Sequence, residues 1–170
     1  MNYIYVVMNR PVVLFFLLLL HVLLALASGY GSALLIFSPD GSALGMSLDM
    51  LKDTWLPNYT LPGIILFFIG FLLPLLTIYG LWSLQKSTMF NTLNIYRHKH
   101  WSWAYSLYTA IGMLIWIQVQ QMQMAYHLLQ NIVSFLAIAL LIATLYPSVV
   151  RYVEHKKTKR HHHSPSTNNE

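Results

Sequence analysis

Residues Leu61–Leu84 read LPGIILFFIGFLLPLLTIYGLWSL, 24 positions without a charged side chain. Wound at roughly 1.5 Å per residue, the stretch would rise about 36 Å, more than the ~30 Å hydrocarbon core of a bilayer. It reads as a membrane-spanning helix with room to tilt. Three further apolar runs lie around it, so the expected spans are about 11–30, 61–84, 102–120 and 128–147. The expected fold is an all-α, polytopic four-transmembrane-helix bundle over residues 1–150. A basic, disordered tail is expected over 151–170.

Composition points the same way. Of 170 residues, 56% are hydrophobic and 9% charged, whereas about a quarter of an ordinary soluble domain is charged. The net charge of +5 is concentrated at Arg151, Lys156, Lys157, Lys159 and Arg160, just after the last apolar run. There anionic lipid headgroups are nearer partners than nucleic acid. The absence of cysteine excludes disulfide frameworks, thiolate metal sites and dithiol redox chemistry.

Taken in order, Arg10 and Pro11 open the first span, proline suiting a first helical turn because its missing N–H would be unsatisfied there anyway. The run could be taken for a signal peptide, but it is long for one and no clear cleavage site follows, so a retained helix is expected. Gly31–Thr60 is the longest connection. Ser38-Pro39-Asp40-Gly41 signals a turn. Leu44, Leu48, Leu51 and Trp55 then repeat at helical spacing, predicting a short amphipathic helix on the membrane surface with Trp55 at headgroup level. In the second span, Pro74 cannot donate to the carbonyl of Gly70, which predicts a kink. Residues 85–100 read as a polar, basic loop, and the turn between the last two spans is placed around Gln121–Tyr126 on polarity alone.

Nine of the ten Lys and Arg lie in the N-terminal lead, the middle loop or the C-terminal tail, and the first connection holds only Lys52. The positive-inside rule therefore puts both termini and the middle loop in the cytoplasm. The amphipathic segment and the glutamine-rich turn would face outward.

All five acidic residues, Asp40, Asp49, Asp53, Glu154 and Glu170, lie outside the four expected spans. Proton-coupled carriers and intramembrane proteases generally need an ionisable group within the bilayer, and His21 is the one candidate near mid-depth. It could serve a proton relay or a haem, or be a neutral imidazole bonded to a facing Thr77 or Thr109. A bis-histidine haem is disfavoured because His100 belongs at the inner surface and His127 at the outer one. No cofactor, metal or catalytic residue is assigned. Asp49 and Lys52 can pair as i,i+3 neighbours. The candidate outward contact surface comprises Asp40, Leu48, Asp49, Leu51, Trp55, Gln120, Gln123 and His127, since amides and an imidazole can hold a ligand without reacting with it.

The segments SPDGSALGMSLDML, Tyr59-x-x-Pro62-Gly63, PLLTIYGLW and LIWIQVQ together resemble a widespread set of small bacterial inner-membrane proteins with four helices and no assigned activity. The resemblance covers roughly Ala27–Pro147 and implies the topology and a bacterial inner-membrane location. The expected function is non-enzymatic binding, as an accessory subunit of a larger membrane complex or a self-associating scaffold. Alternatives are an enzyme or carrier for a lipid or isoprenoid-like substrate, using a cavity near His21, and an immunity-type protein against a membrane-targeted toxin.

Overall fold

The structure, a computed structural model, describes residues 10–123 and 128–159. Among these, every regular element is helical. Helix α1 spans Val12–Phe37 and α2 spans Thr60–Ser83. A short α3 (Thr88–Thr92) precedes α4 (Trp101–Gln123), α5 (Leu128–Leu145) and α6 (Pro147–Lys159). The four long helices close a ring: α1 packs on α2, α2 on α4, α4 on α5, and α5 back on α1. Leu14, Leu17, Leu24, Met113 and Leu140 fill its centre, and none is more than 1% exposed.

Helices α1 and α2 are long and apolar enough to cross a bilayer. A third such segment is formed if α5 and the start of α6 are taken as one span bent by 53°. Their outward faces carry Phe16, Leu19, Phe68 and Phe135 in the open, an arrangement that water penalises and hydrocarbon does not.

Small residues set the register. A Cβ on Gly63 would meet Leu35, and one on Gly70 would meet Ser28, so α1 and α2 run antiparallel in close contact. A Cβ on Gly80 would meet Trp101 and Ser102 at the start of α4.

Several expectations need correction. The first helix does not stop at Tyr30: it continues to Phe37, where Leu35 packs on Leu51, Leu56 and Tyr59. The segment expected to face outward is not an amphipathic α-helix. It forms two single 3₁₀ turns, Ser42–Leu44 and Leu48–Leu51, separated by Gly45 at φ 67°, a left-handed residue that ends a helix. Where the sequence predicts a kink, α2 changes its winding near Pro74. A π-helical stretch, Phe67–Leu72, lies just ahead of it, and the Leu73 N–H reaches back five residues to the Phe68 carbonyl. The wider turn takes up the register that proline cannot hold. The middle loop, read as polar and basic, also carries order of its own: Ser87 caps α3 through the Phe90 N–H, and the buried Asn94 bonds Asn91 and the Lys99 carbonyl. Residues 151–159 are helical rather than disordered, because Pro147 starts α6 and Val149, Tyr152 and Val153 pack into the core. The turn expected around Gln121–Tyr126 begins no earlier than the end of α4 at Gln123; residues 124–127 lie outside the described set.

Candidate functional site

Two places hold the described side chains expected to form a site. The first is inside the bundle. Antiparallel pairing sets Ser28 of α1 against Gly70 of α2. Moving seven residues further along each helix puts His21 level with Thr77. Across the α2–α4 contact, the same level on α4 falls near Ser106, whose hydroxyl meets that of Thr144 on α5 at 2.6 Å. His21, Thr77, Ser106, Thr109 and Thr144 are all fully buried.

Their bonds are mainly local. The His21 Nδ1–H donates to the Leu17 carbonyl at 2.9 Å, which leaves Nε2 with the lone pair. Thr77 and Thr109 donate to Leu73 and Tyr105 on their own helices, each at 2.9 Å. The expected bond from His21 to Thr77 or Thr109 is therefore not made: a hydroxyl has one proton, and each threonine has given it to its own backbone. His21 Nε2 has no hydrogen-bond partner. Thr144 likewise donates to Leu140 at 2.7 Å, so in the interhelical pair Ser106 must be the donor. Ser106–Thr144 is the polar contact that sequence reading missed. The signal was present in Ser102, Ser106 and Thr109, spaced to lie on one helical face.

The second place is the end carrying the first connection. Leu35, Leu51, Leu56 and Tyr59 form a small core of their own, and the Tyr59 hydroxyl donates to the Ser47 carbonyl at 2.9 Å. Burial pushes the Tyr59 phenol upward. Asp40 closes the turn by accepting from the Ser42 N–H at 3.2 Å and hydroxyl at 2.8 Å. Those two bonds hold its carboxyl below the usual range. Asp49 and Lys52 pair at 2.9 Å on the open surface, as their spacing predicts.

Upon this base Leu48 is 47% and Trp55 70% exposed. Trp55 and Gln120, distant in sequence, line one small apolar cleft with Leu56, Leu61, Ile65 and Trp116. Leu51, by contrast, is buried beneath the loop and offers nothing outward. The Gln123 side chain and all of His127 lie outside the described residues, as do the side chains of Lys156, Lys157 and Lys159 and all of Arg160. Arg151 is described, with its Nε donating to the Pro147 carbonyl at 3.2 Å.

The two places do not join. His21 stands 16 residues from Phe37 along α1, about 24 Å at 1.5 Å per residue. The π turn at Phe67–Leu72 is packed by Ser28 against Gly70 and Phe71 against Gly29.

At the opposite end, the middle loop is bound to the helices. The Gln85 carbonyl accepts from Trp101 Nε1 at 2.9 Å and His100 Nε2 at 3.0 Å. Trp103 Nε1 donates to the Thr144 carbonyl at 2.9 Å. Lys99 pairs with Glu154 at 3.0 Å over the Trp103 ring.

No family model matches this chain, and no curated protein or solved structure matches it either.

Proposed function

We propose that this is a small non-enzymatic integral membrane protein whose four long helices all cross a bacterial inner membrane, with both termini cytoplasmic. It acts by binding a membrane-protein partner, as an accessory subunit of a larger complex or as a self-associating scaffold. The contact surface is the outward loop with the adjoining end of α4. One observation carries this reading: Trp55 and Gln120 meet in one cleft on a loop that has its own packed core. An ordered loop that displays a tryptophan and a leucine gives up little entropy on docking, and aromatic anchors of this kind dominate interface energies.

α4 fits this scheme although it is the most polar of the long helices, since Ser102, Ser106 and Thr109 all face inward and the ring surrounds them. Leu48→Asp with Trp55→Ala tests the surface. Trp55 is largely and Leu48 about half exposed, so the fold should survive while co-purifying partners are lost. Retention of every partner by the double variant would exclude this surface. The topology has its own test, because the chain is free of cysteine. Ser42→Cys should react with an impermeant thiol reagent from outside intact cells and Lys86→Cys only after lysis.

A further inference from the structure

The middle loop doubles back along the side of α4. Tyr105 and Tyr108 lie four and seven residues past Trp101, where α4 begins, about 6 and 10 Å along its axis. The Tyr105 hydroxyl donates to the Phe90 carbonyl at 3.1 Å. The Tyr108 hydroxyl donates to the Leu93 carbonyl at 3.0 Å and accepts from the Ile95 N–H at 3.2 Å. Side chains lean toward the start of their helix, which takes back part of that depth. Even so, residues 93–95 lie beside the first turns of α4 rather than beyond its end.

This segment is bare and apolar on its outside: Met89 is 76%, Leu93 69% and Ile95 80% exposed. It continues the outer stripe of α4, where Ile111 and Ile115 are also open, three and seven residues past Tyr108 on the same face. Its backbone is prepared for an apolar medium. Besides the two phenols, the buried Asn94 side chain accepts from the Tyr96 N–H at 3.0 Å and donates to the Lys99 carbonyl at 3.1 Å. Irregular backbone is tolerated at membrane depth only where the protein itself meets its polar groups. Lys86 and Arg97, both exposed, stand at the two ends of the segment, where long cationic side chains reach anionic headgroups.

We propose that residues 88–96 form a wedge set into the cytoplasmic leaflet, so that the occupant of this apolar face is lipid. Leu93 and Ile95 lie among the upper acyl chains, and Lys86 and Arg97 stay at the level of the phosphates. This rests on the membrane reading above. The wedge fixes how deeply this end of the bundle sits in the bilayer.

The test is fluorescence of single-cysteine variants of the full chain, which has no cysteine of its own. Leu93→Cys, Ile95→Cys, Lys86→Cys and Ile115→Cys are each labelled with nitrobenzoxadiazole. Each is reconstituted into phosphatidylglycerol vesicles with and without bromine on the acyl chains. Bromine quenches on contact, so the labels at 93 and 95 should be quenched at least about twice as strongly as the label at 86. Met89→Cys serves in place of either loop variant that does not fold. Quenching at 115 but not at 93 or 95 would overturn the wedge and keep the membrane reading, whether water, a second copy or another part of the chain lies over the patch. Equal quenching at 93, 95 and 86 would mean a loop lying flat among the headgroups, and would overturn it too. No quenching at any position would overturn both readings.

Discussion

Replacing Gly80 by alanine adds one carbon where α2 meets α4. Built on the existing backbone, that carbon would lie 2.5 Å from Ser102 Cβ and 2.8 Å from Trp101 Cζ2, about 1 Å inside ordinary contact. Neither neighbour can step aside. Ser102 Cβ is fixed to the α4 backbone. Trp101 is 2% exposed, tied to Gln85 through its indole N–H, and packed between Phe90 and Tyr105 with ring centres at 4.8 and 5.2 Å. The two helices must separate, loosening contacts along their shared face; overpacking of this kind costs about 1–3 kcal/mol. Removing glycine from a helix returns about 0.5–1 kcal/mol, so a net loss of roughly 1–2 kcal/mol is expected. Gly31→Ala is the matched control, because its new carbon would meet only Leu66 Cδ2 at 3.5 Å and should stabilise by the propensity term alone. Equilibrium unfolding of both variants in one detergent mixture measures the difference. If Gly80→Ala is as stable as Gly31→Ala, the close α2–α4 approach described above is wrong.

Other expectations are more local. Ser106→Ala and Thr144→Val should each cost about 1 kcal/mol, and the double variant little more than either, since both remove the same buried bond; a double-mutant cycle with no coupling would refute the pairing. His21→Leu removes a buried nitrogen that has no partner and should leave unfolding stability unchanged or slightly higher. A loss above about 2 kcal/mol would instead show that Nε2 has an essential partner. The Asp40 carboxyl should titrate below ordinary aspartate and move upward in Ser42→Ala, as followed by NMR of the labelled side chain. Its folded pKa is depressed, so the stability it lends is present above the unfolded pKa and fades as pH falls through the folded one.

The sequence carried the large elements because they depend on local composition. Leu61–Leu84 lacks any charge over the length of a bilayer, and α2 occupies Thr60–Ser83 accordingly. Composition says less about where a helix ends once tertiary packing takes over. α1 runs past Tyr30 because Leu35 has partners in the loop, and those partners come from residues up to 24 positions away. Leu44, Leu48, Leu51 and Trp55 have helical spacing, yet the left-handed Gly45 and the Tyr59–Ser47 bond impose turns instead. Proline at position 74 predicts a kink, but the π turn just ahead of it was not legible, because it depends on what Gly70 packs against. The interior pair Ser106–Thr144 could not be read, since one hydroxyl in a span looks like another until the register between α4 and α5 is known. The Trp55–Gln120 cleft was legible only as two members of one proposed surface.

The ring has a consequence for biosynthesis. α1 is made first, yet one of its neighbours in the closed bundle is α5, whose last residue is Leu145. Until that helix has been synthesised, the side of α1 meant for it has no resident partner. If helices leave the translocation machinery one at a time, the nascent chain passes through an open three-helix intermediate. Shortening the chain before Leu128 would hold it there, and that species should be prone to proteolysis and to pairing with the wrong helices.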